Sequence, residues 1–176
     1  MKSVRITATF LYHVTKIAAL LFLFTGLYAF VILFLTMHTG MEGLPIEVKD
    51  NNSFVIFYPF TSRAFLLGDY TNSYFLISTS TVALYGLFLW LLSRVFKAFK
   101  QQRLFIPKSV SRLQRFYLFN LGVPILFLMF LVIFGQDIRD AMIIVFLHLM
   151  IGVFAFFMAA IFKQGLLLQE EQDLTL

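Results

Sequence analysis

Four stretches of the chain contain no Asp, Glu, Lys or Arg: 17–37, 73–93, 116–136 and 141–162. Each is 21 or 22 residues long. At about 1.5 Å per residue a helix of that length reaches roughly 31–33 Å, which matches the hydrocarbon core of a bilayer. None shows the strict alternation of a barrel strand. Lipid offers no water to the backbone, so a segment that crosses it closes its own hydrogen bonds as a helix. The pattern predicts an all-α membrane protein, a bundle of four transmembrane helices forming a single domain over residues 1–176. Lys2, Arg5 and Lys16 precede the first run, as in a secretory signal. The run exceeds the roughly 7–15 apolar residues of such a signal, so it reads as an uncleaved signal-anchor helix.

The segments between the runs differ in character. In the loop 38–72, Ile46–Lys49 alternates, Asp50-Asn51-Asn52 is turn chemistry, and Ser53–Tyr58 is β-branched and aromatic. This predicts a small β-hairpin, with a second aromatic stretch around Pro59 and Phe60. An isolated hairpin is marginal in water, so it should lean on the helix ends or the bilayer surface. The functional alternative is a lid over a ligand pocket between the helices. In the loop 94–115, Arg94, Lys97 and Lys100 continue the second helix at helical spacing. Pro107 breaks it, and Ser109 or Ser111 is placed to cap the next one.

Composition narrows the class. The chain is 60% apolar and 13% charged, against roughly 45–50% and 25% in soluble domains. Soluble and disordered folds are excluded. The 24 Phe residues read as lipid-facing and inter-helix filler rather than a cofactor site. There is no Cys, which removes disulfides, thiol catalysis and Cys-ligated metals. Of the 14 Lys and Arg, eleven lie in the N-terminal segment, the loop 94–115 and the tail 163–176, and three lie in the alternate segments. The positive-inside rule therefore puts both termini and the basic loop in the cytoplasm of a plasma (inner) membrane, and the loop 38–72 outside. Trp90 and Tyr117 at one edge, and Tyr70 and Tyr74 at the other, suit aromatic belts. The net charge of +5 is a topology signal; anionic headgroups are closer partners for the basic loop than nucleic acid.

One ionisable residue, His148, lies well inside an apolar run. Ala141, His148, Gly152, Ala155 and Ala159 share a stripe at helical spacing, and its small residues (Gly152, Ala155, Ala159) suit close packing within the bundle. Matched for depth from the outer edge, His148 falls level with the run Ser78-Thr79-Ser80-Thr81, so Ser78, Ser80 and Thr81 are its expected hydrogen-bonding partners in an intramembrane polar cluster. Asn120 is expected to lie too far in depth to pair with it. A proton relay or ligand contact is the functional reading of His148; a satisfied core imidazole is the plain one. No carboxylate accompanies it, His13 and His38 sit near opposite faces, and no phosphate-binding glycine pattern occurs. No catalytic residue, cofactor or metal site is expected, and the chain reads as a non-enzyme.

Two stretches resemble a known family. One is Phe105-Ile-Pro-Lys-Ser-Val-Ser-Arg112-Leu113-Gln-Arg-Phe116. The other closes the chain, from Phe162 through Gly165, Leu168, Glu171, Asp173 and Leu174 to Thr175. With four spans in this order they resemble the bacterial membrane family called domain of unknown function 2975. That family pairs an aromatic residue and a short Arg-Leu helix with a Phe–Gly–Leu–Glu–Asp-Leu-Thr ending. Pro107 follows Phe105 here, where members often have the proline first. The resemblance implies a protein encoded beside a small Cro/CI-like helix-turn-helix regulator. The leading reading is a multi-pass sensor or regulatory partner of such a cytoplasmic transcription factor. Arg112, Arg115, Glu170, Glu171, Asp173 and Thr175 are the candidate partner surface; alternatively the two arginines pair with the tail acids within the chain. The other readings are a small homo-oligomeric channel or transporter lined by the His148 stripe, and a lipid-binding structural subunit.

Overall fold

The computed structural model describes residues 2–40, 43–49 and 52–174. Thr175, Leu176 and the loop acids Glu42 and Asp50 lie outside the described residues, as does Asn51 of the expected turn. Among the described residues there are four helices: α1 (Lys2–Thr39), α2 (Asn72–Phe99), α3 (Pro107–Ile133) and α4 (Arg139–Leu174). Each is long and apolar enough to cross a membrane. Between α1 and α2 lie three strands, β1 (Ile46–Lys49), β2 (Ser53–Phe57) and β3 (Ala64–Asp69). The chain divides into two compact units, Leu20–Leu87 and the combination of Met1–Ala19 with Phe88–Leu176.

In the first unit the strands form an antiparallel sheet ordered β1-β2-β3. The expected hairpin is β1–β2, with Ile46 opposite Ile56 and Lys49 opposite Ser53. Asn52 takes the left-handed conformation the tight turn needs (φ 59°), which Asn tolerates better than most residues. The third strand was not expected. Along central β2 the residues Phe54, Val55 and Ile56 are all buried, so both faces of that strand are covered. Phe54 and Ile56 pack in one cluster with Ala29, Ile32 and Leu33 of α1 and Phe75 of α2. The Tyr28 hydroxyl donates to the Phe57 carbonyl at 2.8 Å. The sheet therefore leans on the last third of α1, while Phe30, Val31 and Phe34 of that helix stay exposed.

Helix ends in the second unit have clear local causes. Pro107 begins α3 at its first helical position, where its missing N–H costs no hydrogen bond. It opens the helix; it does not break one. The N-cap is Ile106, with no side-chain cap bond, so neither Ser109 nor Ser111 caps α3, contrary to expectation. Ser109 is instead fully buried inside the helix. At the far end the Gln136 N–H donates to the Leu131 carbonyl and the Gly135 N–H to the Val132 carbonyl, with Gly135 at φ 65°. This is a Schellman stop. Five residues later than Ile133, Ile138 passes the chain to α4, and the Asp137 carboxylate accepts the Arg139 N–H at 3.0 Å. The α3–α4 pair is thus a tight antiparallel hairpin. α4 has 36 residues, about 54 Å of unbroken helix.

Polar side chains in the apolar helices satisfy themselves locally. Thr15, Thr25 and Thr36 donate to Leu11, Leu21 and Ile32 carbonyls at 2.6–2.9 Å. A hydroxyl bonded to the carbonyl one turn back is compatible with a lipid or protein interior.

Candidate functional site

Two sets of residues carry chemistry: a polar pair of buried Asn120 and half-buried His148 along the α3–α4 hairpin, and a cationic cluster with the helical tail at the end bearing most of the Lys and Arg.

His148 Nδ1 lies 2.7 Å from Asn120 Oδ1. Asn120 is fully buried, and its Nδ2 donates to the Phe116 carbonyl at 2.8 Å. With the amide nitrogen so engaged, Oδ1 is the acceptor and the His148 Nδ1–H the donor. Phe88 meets the imidazole edge-on, with ring centroids 5.0 Å apart, and packs against Phe116 at 5.7 Å. The expectation that Asn120 was too far in depth is corrected. Depth was counted from position 136, but α3 stops at Ile133 and α4 starts at Arg139. Counted from the true ends, the two residues differ by four helical rises, about 6 Å, which two side chains span. The added Cβ of a residue at Gly152 would meet Leu121 Cδ2 at 2.7 Å and Asn120 Cβ at 3.3 Å; the glycine lets α4 approach α3 closely at the same level. Ala155 and Ala159 are also buried on α4.

The hydroxyls expected near His148 have local partners. Ser78 and Thr79 donate to the Phe75 carbonyl, at 3.3 and 2.6 Å, and Thr81 to the Ile77 carbonyl at 2.8 Å. Ser80 is half-buried on the same helix. Asn120 is set aside by the sequence reading on depth alone, although Pro124 marks its position. A proline has no N–H for the carbonyl four residues earlier, so α3 carries a polar irregularity at residue 120.

At the other end the two stretches that resemble the family pattern meet. The Phe105 ring lies against Gly165, where an added Cβ would be 2.7 Å from Cδ1, and edge-on to Phe162 at 5.5 Å. Leu113 and Phe162 are buried together with Val110 and Ala159. The remaining pattern residues of the tail, Leu168, Glu171, Asp173 and Leu174, are all exposed on α4. Leu174 is 86% and Leu168 57% exposed. So one half of the pattern is packing and the other half has no packing role in the chain.

The arginines do not pair with the tail. Among the described residues no ion pair joins Arg112 or Arg115 to Glu170, Glu171 or Asp173, and Arg112 Nη1 is buried with no hydrogen-bond partner. Burial, then the neighbouring Arg94, push the Arg112 pKa down from the usual guanidinium value, and Tyr12 offsets this in part. The reading in which these charges neutralise one another within the chain is thus replaced by two separate surfaces, one cationic and one acidic. Among the described residues no group of three or more His, Asp or Glu could hold a metal ion.

The model of the family described as "Protein of unknown function (DUF2975)" matches residues 51–176. The chain belongs to that family. The match takes in β2, β3 and α2–α4, including both stretches that meet at Gly165. No curated protein and no solved structure matches the chain.

Proposed function

We propose that this multi-pass membrane protein is a non-enzymatic sensor and regulatory partner of a small cytoplasmic helix-turn-helix transcription factor. It would lie in the plasma membrane with both termini in the cytoplasm. The observation that carries the reading is the split of the family pattern. Phe105, Leu113, Phe162 and Gly165 lock the base of the tail, while Leu168, Glu171, Asp173 and Leu174 project from it unburied. A helix presenting acids beside exposed leucines suits a partner with a basic surface and an apolar groove. Because α4 is continuous, a change in packing at His148 or Gly152 is conveyed along the same rigid helix to that surface. DNA-binding proteins are basic, so capture by an acidic tail competes with their binding to phosphate backbones.

The test is co-purification from native membranes followed by mass spectrometry. A helix-turn-helix protein should be retained by the full chain, and lost with Glu171→Ala/Asp173→Ala or with truncation after Lys163. Retention that is unchanged by both alterations would remove the tail as the output surface.

A further inference from the structure

The cationic cluster has a structure of its own. Tyr12 of α1 is its centre. Lys100 Nζ lies over the Tyr12 ring at 5.3 Å from the centroid and Lys16 Nζ at 6.0 Å. Arg112 feels the charge of both Arg94 and Tyr12, and Arg94 is stacked over Trp90 at 4.9 Å. These like charges repel, and each arginine carries a fork of five donors that wants a planar or tetrahedral oxyanion. Among the described residues none meets Arg112 Nη1, which is sheltered from solvent yet unbonded. The α3 start adds to the imbalance, since it has no acidic residue in its first turn and no side-chain cap, leaving the positive end of the helix dipole unopposed. A buried guanidinium nitrogen without an acceptor is costly, and the natural resolution is an acceptor from outside the chain.

Depth identifies its source. Arg94 directly follows the second apolar run, and Arg112 precedes the third by four residues. Trp90, the ring under Arg94, is the kind of side chain that settles at headgroup level. Both arginines therefore stand where the apolar part of the helices gives way to polar surface, the level of lipid phosphates.

We propose that Arg94 and Arg112, with Lys100 and Lys16 around Tyr12, form a binding site for the phosphate of an anionic lipid headgroup. The phosphate oxygens accept from the two guanidinium groups, and the lysines screen its charge from the flank. The site stands independently of the tail's role as a docking surface.

The experiment uses the full chain in a neutral detergent, titrated with phosphatidylglycerol, phosphatidylcholine or inorganic phosphate and read by native mass spectrometry. Phosphatidylglycerol should be retained, and Arg112→Gln should weaken its retention about tenfold. Arg94→Gln should act similarly, while Arg103→Gln, an exposed arginine in the same loop, should leave it unchanged. Size exclusion checks that each variant is folded; should Arg112→Gln aggregate, Arg94→Gln and Lys100→Gln carry the same reading. Equal retention by wild type and the folded arginine variants would overturn the site. Phosphatidylcholine or inorganic phosphate bound as tightly as phosphatidylglycerol would overturn its assignment to an anionic lipid.

Discussion

The Asn120–His148 bond is the sharpest internal claim, and a double-mutant cycle isolates it. Asn120→Leu fills similar volume but strands the His148 Nδ1–H, which otherwise donates across 2.7 Å. His148→Leu strands the Asn120 oxygen inside a fully buried site. An unsatisfied buried group costs about 1–3 kcal/mol, whereas replacing both partners by apolar side chains is nearly neutral. Between membrane helices the reference state also finds partners, and measured couplings average about 0.6 and reach about 1.7 kcal/mol. Full burial of Asn120 and its second bond, to the Phe116 carbonyl, place this pair toward the upper end. The expected coupling is therefore about 1–1.7 kcal/mol, with the double variant less destabilised than the sum of the singles. The assay is reversible unfolding in mixed micelles, followed by circular dichroism and by fluorescence of Trp90, the chain's sole tryptophan. Additivity within about 0.3 kcal/mol would refute the pairing.

Three further outcomes follow from packing. Gly165→Val puts a branched side chain where a Cβ alone lies 2.7 Å from the Phe105 ring; it should cost about 1–3 kcal/mol in the same unfolding assay, since a ring cannot shrink to make room. Gly68→Ala should loosen the sheet, because the Tyr74 ring covers the glycine and its hydroxyl donates to the Leu67 carbonyl at 2.7 Å; faster proteolysis within residues 43–71 would report it. Ser109→Ala removes a fully buried hydroxyl that has no partner, so it should be neutral or stabilising by up to about 1 kcal/mol; a loss above that would show a hidden bond.

How much of this was legible in the residue order depends on the range of the interaction. The four apolar runs were clear because each is long and free of charge, and transfer into lipid dominates every local preference over such a length. Their ends were not. Gly135 and Pro107 act as a helix stop and a helix start through backbone geometry, and neither carries a hydropathy signal. That difference of a few residues is what misplaced Asn120 relative to His148. Strand β3, Ala64–Asp69, has no β-branched residue and includes Gly68, so propensity argued against it; pairing with β2 and the Tyr74 ring decided in its favour. The meeting of Phe105 with Gly165 is a contact between stretches 60 residues apart in sequence, which only their shared membership of one family pattern hinted at. Charge counting finds the basic segment and offers the tail acids as one partner for it. The structure leaves those acids exposed at the tip of α4 and sets Lys100 and Lys16 over the Tyr12 ring.

Sidedness is the claim on which the sensor reading rests, and the cysteine-free chain allows it to be measured cleanly. Single cysteines are introduced at Ser62, Gln102 and Glu171, all exposed positions, and intact cells are treated with a membrane-impermeant maleimide. The account predicts that Ser62→Cys reacts at once, while Gln102→Cys and Glu171→Cys react only after permeabilisation. Labelling of position 102 or 171 from outside, with position 62 protected, would contradict it.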